Sequence, residues 1–267
     1  MKIAFFGSSV VSAWWNGAAT YYRGLLRELA ALGHDITFYE PDIFQRHQHR
    51  DIDDPDWARI VIYPADDDTL RAMLRDAADA DVIVKASGVG ANDALLEREV
   101  LALKRPNNRI LFWDVDAPAT LERLDNDPDD PFRALVPKYD LVLTYGGGPP
   151  VVAAYEGFGA RRCVPIYNAL DVTTHFPGAA EERFAADLVF VGNRLPDREA
   201  RVDAFFFDAA TRCPEKRFLL GGNGWQDRDV PANVHRLGHV YTRDHNAINA
   251  SALAVLNISR ASMARFG

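Results

Sequence analysis

Cysteine is scarce in this sequence of 267 residues, which contains only Cys163 and Cys213. The two cysteines lie fifty positions apart and form no CxxC pair. The sequence therefore offers neither a disulfide framework nor a cysteine metal site. We expect both side chains to be packing residues.

Long hydrophobic runs are also missing. Near the N-terminus the only apolar stretch covers residues 3–6, which is far short of the roughly 18 residues that a membrane span requires. The same stretch lacks the basic start of a signal peptide. These absences predict a cytoplasmic protein without a transmembrane segment.

Basic residues are outnumbered, with 30 Lys+Arg against 38 Asp+Glu, a formal charge of -8 and a pI near 5.4. This balance argues against a function built on general attraction to phosphate backbones, so we expect no nucleic-acid partner. The charge is also uneven. From Asp187 onwards there are 11 basic and 9 acidic residues, net +2, which leaves residues 1–186 with a net charge of -10. We expect the two parts to face different chemistry.

Short apolar strands alternate with helical stretches, which predicts an α/β fold with a doubly wound parallel sheet. Residues 2–6 form the first predicted strand. Apolar residues from Ala18 then recur at helical spacing up to Gly33, which stands where a left-handed helix end is favoured. Further strands are predicted at 36–39, 82–85, 110–113, 141–145 and 162–167, and helices at 95–103 and 151–156. Residues 42–68 are predicted to be a polar loop around one strand at 59–63.

The sequence turns irregular between residues 168 and 186, and a new apolar strand begins at Leu188. This restart predicts two Rossmann-like domains, an N-terminal one over 1–172 and a C-terminal one over 187–267, joined by a linker over 173–186. Strands at 188–191, 218–220, 234–237 and 253–258 and helices at 196–210 and 243–252 are predicted in the second. A complete domain of this type needs about 130 to 150 residues, and about 80 follow Asp187. We therefore expect a truncated second domain and a chain that is a fragment.

Three predicted strands end in glycine-containing loops, at Gly7-Ser8-Ser9, at residues 87–90 and at Gly192-Asn193-Arg194. Backbone N–H groups at such loops attract phosphate, because they lie at the carboxyl ends of parallel strands and at helix starts. The loop SGVGAND at 87–93, followed by Asp114, imitates a dinucleotide fingerprint. Asp93 occupies the third glycine position of that fingerprint, so a dinucleotide-dependent enzyme is an alternative interpretation only.

Asp114 and Asp116 follow the predicted strand at 110–113. A carboxylate at a strand end can act as a general base or as a metal ligand. One alternative is that Asp116 caps the helix that begins near Pro118. Another alternative is a manganese-binding D-x-D motif, as in a large glycosyltransferase fold that has a single nucleotide-binding domain. A second domain beginning near Asp187 does not agree with that fold.

Histidine and aspartate clusters also occur in the predicted loops. His47 and His49 form an H-x-H pair, which is a possible metal site, but no further ligand is close in sequence and a solvated loop is the alternative. The aspartate clusters at 53–56, 66–68 and 125–130 contain turn residues. We interpret them as loops and helix caps, and we predict no metal site.

Arg194 is the best phosphate candidate in the second half, since its guanidinium and the amides of the Gly192-Asn193 turn could meet a diphosphate together. The alternative is an ion pair with Asp197 or Glu199. The GGNGW segment at 221–225 follows another predicted strand, and its glycines would let the backbone pass close to a ligand. For Gly222 and Asn223 in this segment, the alternative is a tight surface turn. Tyr241, at the end of the next strand segment, could meet a nucleobase, and a packed aromatic side chain is the alternative.

Five segments together resemble the CgeB-like (spore maturation protein) glycosyltransferases, which are related to group 1 enzymes of the GT-B fold. These are GAATYYRGLLRELAALGHDITFYE at 17–40, YNALDVTTHFP at 167–177, VFVGNRLPDRE at 189–199, FLLGGNGW at 218–225 and LGHVYTRDHN at 237–246. The resemblance extends over nearly the whole chain. It implies two facing Rossmann-like domains, with the acceptor bound mainly by the first and a nucleotide-sugar donor by the second, and no obligatory metal or cofactor.

The resemblance also implies roles for particular residues. Asp114 and Asp116 stand where related enzymes place a catalytic or sugar-contacting residue, usually a histidine, and the aspartates depart from that pattern. Gly192, Asn193 and Arg194 would contact the donor diphosphate. Ser259 and Arg260 would approach the donor from the last strand, and the sequence ends before the glutamate-containing helix start that such enzymes carry next. The remaining predicted contacts lie on the acceptor side, at Ser8, Gly17, Lys85 and Ser87.

The sequence thus predicts a glycosyltransferase that moves a sugar from a nucleoside diphosphate to an unknown acceptor. Two other functions stay open at this point. One is a non-catalytic binding or assembly module with the same shape, and the other is an NAD(P)-dependent oxidoreductase that would use Gly88 and Gly90.

Overall fold

The computed structural model describes residues 1–167, 169–260 and 263, and the chain divides into two compact units. The first unit comprises Met1–Asp171 and the second begins at Val172. Each unit contains one sheet, and all strand pairs in both sheets are parallel. The predicted α/β class with parallel sheets is therefore confirmed.

The first unit has a Rossmann-like sheet of seven strands in the order β3-β2-β1-β4-β5-β6-β7. The order reverses between β1 and β4, and ligands of such sheets bind outside the carboxyl ends of the strands at that switch point. The strands are β1 (Lys2–Phe6), β2 (Asp35–Asp42), β3 (Arg59–Pro64), β4 (Val82–Ala86), β5 (Arg109–Asp114), β6 (Leu141–Thr144) and β7 (Cys163–Pro165).

Both faces of this sheet are covered by apolar packing. In β1, Ile3 and Phe5 join one buried cluster and Ala4 and Phe6 join another, because successive side chains of a strand point to opposite faces. Helix α1 contributes to the first cluster and the other four helices to the second. The helices are α1 (Ala19–Ala31), α2 (Asp67–Asp76), α3 (Asp93–Glu99), α4 (Ala117–Asn126) and α5 (Gly148–Gly157).

The region predicted as a polar loop around one strand contains more structure than expected. Strand β3 is confirmed, but β2 continues to Asp42 and the unpredicted helix α2 begins at Asp67. Asp66 caps that helix, since its Oδ1 accepts a hydrogen bond of 2.8 Å from the Thr69 N–H. The interpretation of this aspartate cluster as a helix cap is therefore correct, although the helix itself was missed.

The second unit has a four-stranded sheet in the order β10-β9-β8-β11. Its central strands β8 and β9 carry buried Val189, Phe190, Leu219 and Leu220, which pack against the helices. The elements are β8 (Ala186–Val191), α6 (Pro196–Val202), α7 (Asp208–Arg212), β9 (Phe218–Gly221), β10 (Val234–Gly238), α8 (Thr242–Ser251) and β11 (Ala252–Leu256).

The helix predicted over 196–210 is interrupted by a π-helical turn at Asp203–Phe207. The turn inserts one extra residue, which changes which side chains face the sheet. As a result the consecutive residues Phe206 and Phe207 are both buried, whereas Phe205 is 55% exposed. The hydrophobic spacing alone could not indicate this shift.

Cys163 is buried in the core of the first unit, and Cys213 packs against the core of the second. Both are free thiols, which confirms their prediction as packing residues. Within the described ranges, no helix combines the length and the hydrophobicity needed to cross a membrane.

Candidate functional site

The carboxyl end of β5 contains a buried carboxylate, Asp114, whose exposed fraction is 0%. Its Oδ1 accepts hydrogen bonds from Ser87 Oγ at 2.7 Å, from Thr120 Oγ1 at 3.1 Å and from the Asp116 N–H at 3.0 Å. The Tyr155 hydroxyl donates to Oδ2. Burial raises the pKa of Asp114 above its ordinary value, against the opposing effect of these donors.

Asp114 therefore cannot contact a substrate, which corrects its assignment as a candidate catalytic residue. It is a positioning residue that joins the loop after β4 to the start of α4. Ser87 shares this role, since its Oγ also accepts a hydrogen bond of 2.9 Å from the Val115 N–H and the residue is buried. The predicted acceptor contact of Ser87 is corrected for the same reason.

Asp116 is half-buried and immediately precedes α4. Its side chain makes no capping hydrogen bond to that helix, so the helix-cap alternative is wrong for this carboxylate. Asp116 is consequently the acid of the D-x-D pair that reaches the surface at this edge of the sheet.

Lys85 lies on β4 and not in a loop, with an exposed fraction of 0%. Its Nζ lies 2.6 Å from Asp93 Oδ1 and 3.4 Å from Glu97 Oε1. A buried ammonium group requires such partners, because an uncompensated charge in the interior is costly. Lys85 is therefore part of an internal ion-pair network, and its assignment to the acceptor side is corrected.

The loop that imitates a dinucleotide fingerprint is filled by its own side chain. Asp93 Oδ2 accepts a hydrogen bond of 2.8 Å from the Gly90 N–H, and Oδ1 accepts one of 3.3 Å from the Val89 N–H. A pyrophosphate would need these amides. The carboxylate occupies them and would also repel an anion, which argues against the dinucleotide interpretation.

Two other acceptor-side candidates differ in accessibility. Ser8 is buried and its Oγ donates to Asn16 Oδ1 at 2.9 Å. Gly17 is exposed, with open space around the position that a Cβ would occupy. Gly17 alone of the predicted acceptor-side residues can therefore be reached from solvent.

Arg46 organises the edge of the first sheet and was missed from the sequence. Its buried guanidinium donates from Nη1 to the carbonyl oxygens of Ser8 at 2.8 Å and Val89 at 3.5 Å. Its Nε donates to the Trp14 carbonyl oxygen at 3.4 Å. One side chain thus joins the loops that follow β1, β2 and β4, and no sequence signal distinguishes it from the other basic residues of its segment.

Backbone strain is concentrated in the same three loops. Among the described residues, the non-glycine positions with positive φ are Trp15 at 50°, Phe44 at 55°, Gln45 at 58° and Asn92 at 54°. Side chains rarely adopt this conformation, and such residues cluster at functional sites. This observation places the candidate site of the first unit at the switch point between β1 and β4.

Two buried polar atoms lie below this edge without a hydrogen-bond partner in the described ranges. They are the Tyr22 hydroxyl and Trp113 Nε1, in side chains that are 0% and 3% exposed. The Tyr22 hydroxyl is close enough to Tyr145, Asp114 and Arg46 to interact with them electrostatically. An unmet buried donor calls for a water molecule or a ligand oxygen.

Glycine and asparagine form the corresponding edge of the second unit, where β8 and β9 end. A Cβ at Gly222, whose φ is +118°, would lie 2.3 Å from the Gly192 carbonyl oxygen. Asn193 Oδ1 accepts a hydrogen bond of 2.9 Å from the Asn223 N–H, and the Asn223 carbonyl accepts one of 2.9 Å from the Arg194 N–H. Only glycine fits at 222, because the two loops are in backbone contact.

The Asn193 N–H makes no hydrogen bond to any described residue, whereas the Gly192 N–H donates to the Gly221 carbonyl at 2.9 Å. Trp225 holds this turn in place, since its Nε1 donates to the Gly192 carbonyl at 2.8 Å and its ring is 2% exposed. The turn therefore presents one available amide, at Asn193, on a fixed backbone.

Arg194 is held by carboxylates, as the ion-pair alternative expected. Its guanidinium lies 2.6 Å from Glu199 Oε1 and 3.2 Å from Asp227 Oδ1. Asp197, the other partner considered, instead accepts a hydrogen bond of 2.7 Å from Arg260 Nε. The charge of Arg194 is thus already offset by two acidic side chains.

Arg198 is a second arginine at this edge, and it was not singled out from the sequence. No carboxylate lies within salt-bridge distance of it in the described part of the chain, and its buried Nε lacks a hydrogen-bond partner there. Its Nη1 lies 2.5 Å from the position of a Cβ at Gly192. Burial, and then the neighbouring charge of Arg260, lower the pKa of Arg198, so an anion bound here would relieve both effects.

The remaining predicted donor-side residues surround this edge in part. The Tyr241 ring lies 4.5 Å from the His239 ring, and Asn223 Nδ2 lies 3.4 Å from His239 Nδ1. Asn223 is buried and its Oδ1 has no partner among the described residues. Ser259 is exposed beyond β11.

The candidate metal sites are not assembled. His47 pairs with Asp42 at 2.5 Å, while the His49 ring stacks on Trp14 with centroids 3.8 Å apart. Residues 1–167, 169–260 and 263 contain no group of three or more His, Cys, Asp or Glu side chains that could hold a metal ion.

A cavity of about 550 Å³ opens elsewhere in the first unit, beside the end of α1 and the starts of β2 and β3. Its arginines Arg27 and Arg59 are paired with Asp171 and Asp76 at 3.0 and 3.2 Å. This cavity lies at the amino ends of the strands, so the strained loops at the carboxyl ends are the better candidate site.

Comparison with known proteins finds a fold that this chain shares with several glycosyltransferases. The sequence model of a family described as glycosyl transferase-like matches residues 198–266. HepE from Anabaena, solved with UDP and glucose, shares 13% identity and aligns over 96% of this chain and 73% of its own, with a TM-score of 0.62. The catalytic domain of starch synthase IV from Arabidopsis thaliana, bound to ADP and acarbose, shares 15% identity over 95% and 77%, with a TM-score of 0.63.

An alpha-glucosyltransferase solved with UDP and a 13-mer DNA shares 11% identity over 94% of this chain and 71% of its own, with a TM-score of 0.59. The expectation that this chain has no nucleic-acid partner remains a prediction. No curated protein matches the sequence. The chain therefore has the fold of these glycosyltransferases, and about its last quarter carries a glycosyl transferase-like sequence.

Proposed function

We propose that the chain is a GT-B glycosyltransferase of the CgeB-like type that moves a sugar from a nucleoside diphosphate to an acceptor. Residues 1–172 would form the acceptor-side domain and 187–267 the Rossmann-like donor domain, joined by the linker at 173–186. The family match to the C-terminal part and the fold shared with enzymes solved with UDP or ADP support this proposal.

The observation that carries the proposal is that two hydrogen-bond donors, the Asn193 amide and the Arg198 guanidinium, lie near the end of β8. The Asn193 N–H and Arg198 are two groups at this edge that have no hydrogen-bonded or salt-bridged anionic partner among the described residues, and Asp197 attracts Arg198 only from beyond salt-bridge distance. A diphosphate would supply one, through charge-assisted hydrogen bonds. Gly192 and Gly222 keep the backbone close enough for that contact.

In this proposal the acceptor hydroxyl attacks the anomeric carbon of the donor sugar while the bond to the diphosphate breaks. Arg198 offsets the charge that develops on the departing diphosphate. In this proposal Asp116 would take the proton of the acceptor hydroxyl or contact the sugar, and Asp114 would orient it through the hydrogen bond that it accepts from the Asp116 N–H. Tyr241 and Asn223 would contact the nucleoside, and Ser259 the donor sugar.

Nucleotide binding by arginine variants tests this function. Thermal shifts would be recorded with UDP, GDP, ADP, NAD and NADP for the wild type and for Arg198→Ala, Arg194→Ala and Arg212→Ala. Arg212 is exposed and its side chain makes no hydrogen bond or ion pair among the described residues, so it is the matched control. We expect one nucleoside diphosphate to stabilise the wild type, with affinity reduced about tenfold or more in Arg198→Ala.

Arg194→Ala should weaken nucleotide binding less than Arg198→Ala, because Glu199 and Asp227 already offset its charge. Equal affinity of the wild type and Arg198→Ala would remove the phosphate assignment. A response to NAD or NADP alone would favour an oxidoreductase, and silence with all five ligands would favour a non-catalytic module.

A further inference from the structure

Two aromatic rings are exposed on the strained loops of the first unit. Trp15, in the loop after β1, is 40% exposed, and Phe44, in the loop after β2, is 57% exposed. Both residues have positive φ. Leaving an apolar ring in water and its backbone in a strained conformation is unfavourable on both counts, so these positions need a functional reason.

Neighbouring groups hold the loops that carry these rings in place. The Phe44 ring packs against Gly90, since a Cβ added at Gly90 would lie 3.2 Å from Phe44 Cε2. The Arg46 guanidinium lies 5.2 Å from the centroid of the same ring. Trp14, the neighbour of Trp15, stacks on His49. Because Arg46 lies beside the Phe44 ring and also bonds to the Trp14 carbonyl, it joins the two loops that carry the exposed rings.

We propose that this surface binds a neutral saccharide as the acceptor, with sugar rings stacked on Trp15 and Phe44. The inference rests on the glycosyltransferase function proposed above and names its acceptor class. The face of an aromatic ring is electron-rich and attracts the polarised C–H groups of a sugar face. Sugar hydroxyls would find polar partners in the exposed Gln45 beside Phe44, and a longer saccharide would reach the half-buried Asp116, which follows β5 two strands from β1.

Charge decides between a neutral saccharide and a phosphate-rich acceptor. Residues 1–186 carry a net charge of -10, which would repel a polyanion from this unit. The guanidinium of Arg46 does not offset this repulsion, because it is buried and bonded to three carbonyl oxygens.

The pattern also differs from that of a protein-docking surface. The exposed rings of Trp15 and Phe44 lie on different loops and the exposed polar side chain of Gln45 stands beside Phe44, whereas a protein partner would need a contiguous apolar patch. Isolated rings interleaved with hydrogen-bonding groups match the alternating C–H faces and hydroxyl edges of a sugar.

NMR titration with maltotriose, cellotriose and chitotriose tests the acceptor class. The wild type would be compared with Trp15→Ala, Phe44→Ala and the control Phe205→Ala, which removes an equally exposed ring from the second unit. We expect at least one trisaccharide to shift the Trp15 indole signal, assigned with Trp15→Phe. The two loop variants should bind that sugar about tenfold more weakly, and Phe205→Ala should bind it unchanged.

UDP and ADP binding would be measured on the same samples. A wild-type-like amide NMR spectrum of β1 and β4 in Trp15→Ala and Phe44→Ala would show that the first unit of these variants is folded, and retained nucleotide binding would show the same for the second unit. The inference is overturned if no trisaccharide shifts the indole signal at about 10 mM, if the loop variants bind as tightly as the wild type, or if a single-stranded DNA binds this surface instead. If the wild type still binds a nucleotide, any of these results contradicts only the acceptor class and not the proposed function. If the wild type binds no nucleotide, the proposed function itself is contradicted.

Discussion

The two sheet edges of this protein are built by different means. At the end of β5 a buried carboxylate, Asp114, collects four donors and joins two loops. At the end of β8 the corresponding contact is between backbones, with Gly222 against Gly192 and the two asparagines exchanging hydrogen bonds with the main chain. A buried carboxylate fixes the first edge, whereas close backbone contact at glycine, supported by Asn193 and Trp225, fixes the second.

This difference determines which groups remain for a ligand. The first edge uses its charged groups internally, since Lys85, Asp93 and Asp114 all have protein partners. Its more accessible groups are aromatic rings, neutral polar groups and the half-buried Asp116. The second edge needs no charged side chain to hold its turn, so Arg198 stays available for an anion. A neutral ligand suits the first edge and an anionic ligand the second.

Gly222→Ala should have the largest effect and tests the backbone contact directly. The new Cβ would lie 2.3 Å from the Gly192 carbonyl, at a φ of +118° that side chains rarely adopt. We expect the second unit to lose about 4 kcal/mol or more. Gly238→Ala is the control, because its φ is +71° but its Cβ would meet nothing within 4 Å. Hydrogen exchange of β9 would measure both, and equal losses would show that the contact with Gly192 contributes nothing.

Asp114→Ala tests the side-chain network of the first edge. It removes the acceptor of four hydrogen bonds and leaves buried donors unmet, so we expect a loss of about 3 kcal/mol in urea unfolding of the first unit. Asp114→Asn keeps an oxygen for the three Oδ1 bonds and can donate to the Tyr155 hydroxyl. Its loss should be below about 1 kcal/mol. Equal losses in the two variants would contradict a hydrogen-bonding role.

The stability difference between the wild type and Asp114→Asn should depend on pH. Burial raises the folded-state pKa of Asp114 above the unfolded value of 3.8. The stability that this group contributes is therefore complete below pH 3.8 and is lost as the pH rises through the folded pKa. Asparagine does not titrate, so the free energy of unfolding of the wild type relative to Asp114→Asn should fall as the pH rises above that value. A constant difference would contradict the raised pKa.

Trp225→Phe tests whether the second edge also depends on a side chain. Phenylalanine keeps a buried ring but loses the Nε1 hydrogen bond to the Gly192 carbonyl. We expect the second unit to lose about 2 kcal/mol and nucleotide affinity to fall, because the turn that presents the Asn193 amide is less well fixed. Full nucleotide affinity in this variant would show that the glycine contact alone positions the turn.

Much of the fold was predictable because strand signals are local. The apolar runs at β1, β5, β8 and β9 are short, contiguous and followed by glycine or aspartate, so the α/β class follows from them. Helix α2 is not predicted because its aspartates resemble those of a loop. The π turn at 203–207 is not predicted because the sequence positions of the three phenylalanines there do not indicate which of them face the sheet. Both depend on tertiary packing that the local pattern does not contain.

The site was less predictable, since burial cannot be read from residue type. Asp114 and Asp116 are equivalent in sequence, yet one is enclosed by Ser87, Thr120 and Tyr155 and the other reaches the surface. Arg194 was preferred to Arg198 because it follows the glycine turn directly. The structure shows that Glu199 and Asp227 pair with the first and leave the second unpaired.

Tyr22→Phe should have the smallest effect and refines the comparison at the first edge. The Tyr22 hydroxyl is buried without a partner in the described ranges, so removing it takes away no protein hydrogen bond. We expect the free energy of unfolding to change by less than about 0.5 kcal/mol, or to increase, because the desolvation penalty of an unmet donor disappears. A loss of more than about 1 kcal/mol would mean that an ordered water bonds this hydroxyl and that the first edge depends on it. Phe38 packs against the Tyr22 ring but has no hydroxyl group, so Phe38→Leu is a control that changes ring packing without changing a hydroxyl.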